Sequence, residues 1–143
     1  MSDDAHPIVV ERHVAAPPSA VYAFLTDSER WAQWQGADAT IEARPGGLFR
    51  IRMGTGQIAR GQFVELVPDR RVVFTWGWVD LPEIPPGSTV VEIDLEHQRD
   101  GTLIRLTHRE VPPDQVDLHR AGWQRYVERL ALCASGIDPG PDV

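Results

Sequence analysis

The chain has 143 residues and a mass of 16.0 kDa, with 42% hydrophobic and 24% charged residues. At that size roughly 70% of the unfolded surface can be buried, which predicts one domain over residues 1–143 with an ordered core over about 8–136 and excludes disordered, collagenous or disulfide-stapled classes. The net charge of -7 and pI near 5.1 lack the positive field that nucleic acid or an anionic membrane surface requires, so neither is expected as a partner.

All 14 basic residues are arginine. Without lysine there is no Schiff base, no P-loop lysine and no lysine general base. The single cysteine, Cys133, excludes an intramolecular disulfide and a cysteine-based zinc cluster, and fits a reducing, cytoplasmic setting. Met1–His6 is acidic and lacks the pattern of a secretory signal. The apolar stretch around Val72–Val79 is far short of the ~20 residues that cross a bilayer.

In chain order, Ile8–Val14 is a β-branched strand ended by Ala15-Ala16-Pro17-Pro18. Pro18 opens a helix through Leu25 with Val21, Phe24 and Leu25 on its apolar stripe. Asp27 or Ser28 caps a second helix on which Trp31 and Trp34, three apart, share a face. After Gly36 the period falls to two. Asp38–Ala43 reads as a strand, Pro45-Gly46-Gly47 as a turn, and Leu48–Met53 as a strand with Phe49, Ile51 and Met53 on one face. Gly54-Thr55-Gly56 reverses the chain, and strands 58–67 and 71–79 flank Pro68-Asp69, a hairpin tip compatible with two registers.

Asp100-Gly101 predicts a two-residue type I′ turn that pairs Arg99 with Thr102, His97 with Ile104, Leu95 with Leu106, Ile93 with His108 and Val91 with Glu110. That register gathers Ile93, Leu95, Ile104 and Leu106 on one face and sets Glu96 against Arg105 and Glu92 against Arg109 on the other. After Pro112-Pro113, with Asp114 as N-cap, Val116, His119, Trp123, Tyr126, Val127, Leu130, Cys133 and Ala134 form the inward stripe of a final helix. Asp117, Arg120, Arg125, Glu128 and Arg129 fall on its other side, Ser135-Gly136 stops it, and Pro139–Val143 is expected to fray.

This is an α+β chain with about six consecutive antiparallel strands. A helix of ~20 residues spans a strand of ten, but its ~10 Å width cannot fill the concavity of a twisted sheet of six or seven strands, so a pocket is expected between them.

Ala16-Pro17 with Val21-Tyr22 and Leu25, Trp34, Pro45-Gly46-Gly47-Leu48-Phe49-Arg50, Gly61 ahead of Pro68, Phe74-Thr75-Trp76, Gly101-Thr102 through Leu106 to His108, and Gly122-Trp123 with Leu130 carry a resemblance in their ordered combination. The chain resembles the START-like helix-grip superfamily (SRPBCC) that includes polyketide cyclases, and most closely the branch named after an activator of a heat-shock-chaperone ATPase. The resemblance implies a β-α-α-β₆-α chain wrapped around a hydrophobic cavity. It implies no reaction, because this fold carries binders, cyclases and co-chaperones alike.

His119, Trp123 and Tyr126 share the inward stripe and offer polar handles in an apolar pocket, or serve as core residues with satisfied tips. Phe74, Trp76 and Trp78 lie at two-residue spacing and wall a pocket for a flat molecule, or pack the sheet; the proline-rich loop 80–88 would form the entrance. Phe49, Ile51, Met53, Ile93, Leu95 and Leu106 extend the inner apolar face. His108 and Glu110 are candidates for an acid–base pair, as are His119 and Tyr126, with a capped histidine at a strand end as the alternative. His6, His13, His97, His108 and His119 show no compact metal-ligand spacing, the serines lie in no nucleophile elbow, and the glycine turns open no helix for a phosphate. No metal and no cofactor are expected.

The leading expectation is cytoplasmic binding of a small hydrophobic or aromatic molecule between sheet and final helix. A cyclase or dehydratase using a cavity acid–base pair is the second. A co-chaperone that stimulates a chaperone ATPase comes last, because the activators that gave the branch its name carry an additional N-terminal domain, whereas this chain starts directly with the first strand. A homodimer is compatible with all three.

Overall fold

Residues 7–142 are described by a computed structural model; Met1–His6, with its acidic stretch and His6, and Val143 lie outside the described residues. Seven strands, β1 (Ile8–Val14), β2 (Asp38–Ile41), β3 (Leu48–Arg52), β4 (Ile58–Val67), β5 (Arg71–Trp76), β6 (Thr89–Gln98) and β7 (Gly101–Arg109), form a curved antiparallel sheet in the order β1-β7-β6-β5-β4-β3-β2. Each strand from β2 onward pairs with the next by a hairpin, and β1 closes the row against the last strand. Three helices, α1 (Pro18–Tyr22), α2 (Ser28–Trp34) and α3 (Val116–Ala134), cover the concave side, with α3 lying against β1, α1 and α2. The arrangement is the α+β helix-grip fold.

The core follows from the apolar spacing. Asp27 caps α2 by accepting the Arg30 N–H at 3.0 Å, and the helix delivers Trp31 and Trp34, both fully buried with ring centroids 4.8 Å apart. Trp31 meets Phe49 and Phe74 edge-on at 5.3 and 5.5 Å, and these two rings stack at 4.3 Å. The single helix expected over 18–25 is instead one α-helical stretch followed by a 3₁₀ turn, Ala23–Leu25. There the Phe24 carbonyl accepts the Trp34 Nε1–H at 3.0 Å rather than a helical N–H.

The β6–β7 hairpin corrects the expected register by two residues. Gln98 pairs with Gly101, His97 with Thr102, Leu95 with Ile104, Ile93 with Leu106 and Val91 with His108, so the loop is Arg99-Asp100, and neither has positive φ. An even shift keeps Ile93, Leu95, Ile104 and Leu106 on the inner face. It re-sorts the charges. Arg109 reaches Glu92 diagonally at 3.0 Å, while Arg105 bonds Glu11 of β1 at 2.6 Å instead of Glu96. The physical reason lies in Gly101, which has φ 152° and whose absent Cβ would overlap the Val14 carbonyl. The glycine admits the end of β1, where Thr102 Oγ1 also donates to the Ala16 carbonyl at 2.7 Å, and is not spent on the turn.

The neighbouring hairpin, open from sequence, has a three-residue loop with Val67 opposite Arg71 and a bulge between Phe63 and Glu65. β5 ends at Trp76, short of Val79: Gly77 still accepts the Arg60 N–H of β4 at 2.9 Å, but the Pro85 carbonyl occupies the place of its missing Cβ and Trp78 turns its N–H to the Ile84 carbonyl. Trp78 rejoins as a bridge to Ala59 and remains beside Trp76. β2 stops at Ile41, where Glu42 turns the chain by accepting the Arg44 N–H at 2.7 Å.

At the C-terminal end Asp114 sits in a 3₁₀ turn, Pro113–Gln115, and Gln115 is the N-cap of α3. Gly136, at φ 82°, stops α3 as expected, with the Ile137 N–H on the Leu132 carbonyl at 2.9 Å. Two expectations are overturned here. Arg129, assigned by periodicity to the outer side, is 7% exposed and donates to the carbonyls of Trp34, Gln33, Pro139 and Gly140 at 2.7–3.3 Å. Pro139–Asp142 is consequently held rather than frayed, because a guanidinium has enough donors to gather backbone oxygens from both segments.

Two outcomes follow. Gly101→Asn, harmless in a type I′ turn, is expected to cost at least about 2 kcal/mol in urea unfolding, because its Cβ meets backbone that cannot move aside. Arg129→Met is expected to cost about 3 kcal/mol and to make the bonds around residues 137–142 cleavable in limited proteolysis, since it strands buried carbonyls.

Candidate functional site

Beyond the packed aromatic core, a cavity of about 360 Å³ opens between the first half of α3 and the end of the sheet. The β3–β4 turn brings Met53, Gly54 and Thr55 to it, the end of β5 brings Trp76, and the following segment brings Trp78 and Leu81. From α3 come Leu118, His119, Gly122, Trp123 and Tyr126, and Gln35 and Asp142 join from the end of α2 and the C-terminal segment. Leu118, 71% exposed, marks the open side. Gly122 occurs in the middle of a helix, where glycine costs about 1 kcal/mol against alanine. A Cβ there would meet nothing within 4 Å, so the missing side chain is part of the space.

The aromatic wall is a connected set. Trp76 lies 5.2 Å from Trp78 and 5.1 Å from Trp123, and Trp123 lies 6.3 Å from Tyr126. Two histidines hold the indoles by their N–H groups. Trp123 Nε1 donates to His108 Nδ1 at 2.9 Å and Trp78 Nε1 donates to His119 Nε2 at 3.0 Å. The remaining nitrogens fix the tautomers. Thr89 Oγ1 spends its proton on the Trp76 carbonyl at 2.8 Å, so its contact with His108 Nε2, also 2.8 Å, has the imidazole N–H donating. His119 Nδ1–H donates to the Gln115 carbonyl at 2.9 Å. Both rings are neutral, with opposite tautomers and centroids 5.6 Å apart.

Burial, and secondarily the nearby His119, pushes the pKa of fully buried His108 down to about 3. Burial also lowers that of His119, against the opposing bond to the Gln115 carbonyl. At the other end of the cavity Asp142 accepts the Gly36 N–H and the Tyr126 O–H, each at 2.8 Å, and an Arg125 N–H. Burial alone would raise the Asp142 carboxyl, yet the bonds from Arg125, Gly36 and Tyr126 hold it below the usual carboxylate range. Burial first and the Asp142 bond second push the Tyr126 phenol up to about 12.

Of the residues singled out from sequence, Met53, Trp76, Trp78, His119, Trp123 and Tyr126 are brought to this cavity. Phe49, Ile51, Phe74, Ile93, Leu95 and Leu106 are buried in the core away from it. His108 stands behind Trp123, and Glu110 is exposed in a turn at φ 69°, so the two form no acid–base pair. Tyr126 bonds Asp142 rather than His119. Gln35 and Asp142 escaped the sequence reading, and Gly122, noted only for the resemblance, was not placed at the pocket. A glycine within an otherwise regular helical stripe was the one available signal. Among the described residues no group of three His, Cys, Asp or Glu side chains converges as metal ligands do.

The lowered histidine pKa values give a sign for acid stability. As pH falls below 6.5 the unfolded chain takes up protons at His108 and His119 that the folded chain refuses, so stability present above that pH is lost on acidification. For His108 the slope approaches about 1.4 kcal/mol per pH unit. Urea midpoints are expected to drop between pH 6.5 and 5, and His108→Gln, which keeps one donor and one acceptor, is expected to flatten that drop.

Known proteins share this fold. An AHSA1-like protein from Rhizobium etli, solved in solution, is 43% identical, with a TM-score of 0.73 over 99% of this chain and 91% of that one. The crystal structure of DynU16, from the dynemicin biosynthetic locus, superposes with a TM-score of 0.82 at 26% identity, covering 98% of this chain and 51% of that one. The human activator of 90 kDa heat shock protein ATPase homolog 1 is 28% identical over 119 residues, 83% of this chain, which spans only 34% of its length. Residues 15–134 match the family described as Activator of Hsp90 ATPase homolog 1-like protein, and the chain belongs to that family, within the helix-grip SRPBCC superfamily.

Proposed function

We propose that this chain binds a small hydrophobic, aromatic molecule in the cavity between the first half of α3 and the end of the sheet. The observation that supports this best is a wall of indoles whose histidine partners have both ring nitrogens committed. Such a wall offers stacking surface and apolar burial, worth ~25 cal/mol per Å², and no free imidazole nitrogen to move a proton. A cyclase or dehydratase would need a titratable group aimed at the guest with spare hydrogen-bonding capacity; His108 faces Trp123 and Thr89, and the Tyr126 hydroxyl is engaged by Asp142. The single cysteine, buried in α3, accords with a cytoplasmic location.

Similarity to the human activator favours a second reading, contact with a chaperone ATPase, in which the cavity plays no part. ATPase stimulation by the purified chain that persists in a cavity-filled variant would favour it over binding.

Gly122→Leu provides that variant. Its side chain enters open space from a helix that prefers leucine to glycine, so the melting temperature is expected to hold or rise. Small aromatic compounds that raise the melting temperature of the natural protein are expected to leave Gly122→Leu unmoved, and any molecule seen with the natural protein in native mass spectrometry is expected to be absent from it. Compounds that stabilise both proteins equally would sink the cavity reading.

A further inference from the structure

The polar end of the cavity carries an unmet demand. Gln35 is fully buried and lines the cavity at the end of α2, where its extended backbone passes into Gly36 at φ 84°. A Cβ on Gly36 would lie 2.5 Å from Ile51 Cγ2, so the glycine is what lets this corner close on β3 and fixes where Gln35 emerges. The Gln35 amide is oriented without ambiguity. Its Oε1 accepts the Trp31 Nε1–H at 2.9 Å, so the amide nitrogen points the other way. That Nε2 has no protein partner, and neither has Trp76 Nε1, although both atoms are buried. Among the described residues these are the buried side-chain nitrogens or oxygens left unmatched; both are donors, and both belong to side chains that line this cavity.

Leaving a buried donor unmatched costs about 1–3 kcal/mol, so an acceptor brought by a guest is favoured by relief of that cost. The charges on the wall restrict the guest further. Asp142 and Arg125 neutralise each other, His119 is a neutral ring with both nitrogens engaged, and Tyr126 gives its proton to Asp142. An anion would compete with Asp142 for Arg125, and a cation would approach the Gln35 and Trp76 donors, which cannot accept from it.

We propose that Gln35 selects the guest, its Nε2–H donating to a hydrogen-bond acceptor, such as a ketone oxygen, on an uncharged aromatic molecule. This rests on the binding role proposed above and assigns Gln35 a part that its burial alone would not require. The test is isothermal titration calorimetry with α-tetralone and tetralin, which match in shape and differ in the carbonyl, and with naphthoate as the anion. The natural protein is expected to prefer tetralone over tetralin by about tenfold, the worth of one neutral hydrogen bond. Gln35→Met is expected to bring the two compounds to within about threefold of each other. Equal affinity for both in the natural protein, or a preference that survives in Gln35→Met, overturns the assignment while leaving the cavity reading standing. Naphthoate bound as tightly as tetralone overturns the restriction to uncharged guests. Binding of neither tetralone nor tetralin overturns the cavity reading and this assignment together. Equal affinity in the natural protein overturns the assignment without any variant, so it stays open to refutation even where Gln35→Met fails to fold; a preference is assigned to Gln35 rather than Trp76 by its loss in Gln35→Met.

Discussion

The bond from Trp123 Nε1 to His108 Nδ1 joins the middle of α3 to the last strand, and the placement of the helix over the sheet depends on it. Apolar contact alone is non-directional and would allow α3 to slide or roll; a hydrogen bond between two buried rings does not. It works only while the imidazole is neutral, which burial enforces, and Thr89 fixes the tautomer by presenting an oxygen whose own proton is already given to the Trp76 carbonyl. One short network therefore ties β5, β6, β7 and α3 together at the inner end of the aromatic wall. Trp78 and His119 repeat the device nearer the opening, where the segment after β5 meets the first turns of α3.

The C-terminal half of α3 packs at β1 and the end of α2, where Glu128 pairs with Arg12, while the cavity opens beside its first half. Arg129 belongs to the packed half, where it gathers carbonyls from the end of α2 and from the C-terminal segment. The segment so held brings Asp142 back to the Gly36 N–H and the Tyr126 hydroxyl. Residues 106 positions apart in sequence thus finish one end of the cavity together.

The apolar layout was legible in the sequence because it is periodic. The alternation of β3 and β6, the indole pair of α2 and the stripe of α3 each follow from spacing, and they place Trp76, Trp78, His119, Trp123 and Tyr126 on the concave side. What periodicity does not carry was misread or missed. Asp100-Gly101 looks like a turn, but whether Gly101 serves the loop or admits β1 depends on a strand that precedes it by nearly ninety residues. Arg129 sits at an outward position of an ideal amphipathic helix, yet backbone oxygens from two other segments make that position an interior one. Glu110 sits two residues after His108, but a positive φ removes it from the strand and from the histidine's face. Gln35 and Asp142 have no local signature at all, since their roles are defined by partners far along the chain.

Departures from the rules that favour stability gather around one place. A glycine interrupts the helical stripe of α3 at residue 122, and the buried donors of Gln35 and Trp76 lack partners. Each is destabilising on its own, by about 1 kcal/mol for the glycine and about 1–3 kcal/mol for each donor. Elsewhere the chain is closely packed: Trp31, Trp34, Phe49, Phe63 and Phe74 fill the other end of the interior, and the polar atoms of Thr102 and Arg129 are matched. A sequence shaped by stability alone would place a larger side chain at residue 122 and a matched donor at residue 35. Concentration of these costs around a single apolar cavity is what a binding site requires, because a guest recovers them on entry while a filled core would leave nothing to recover.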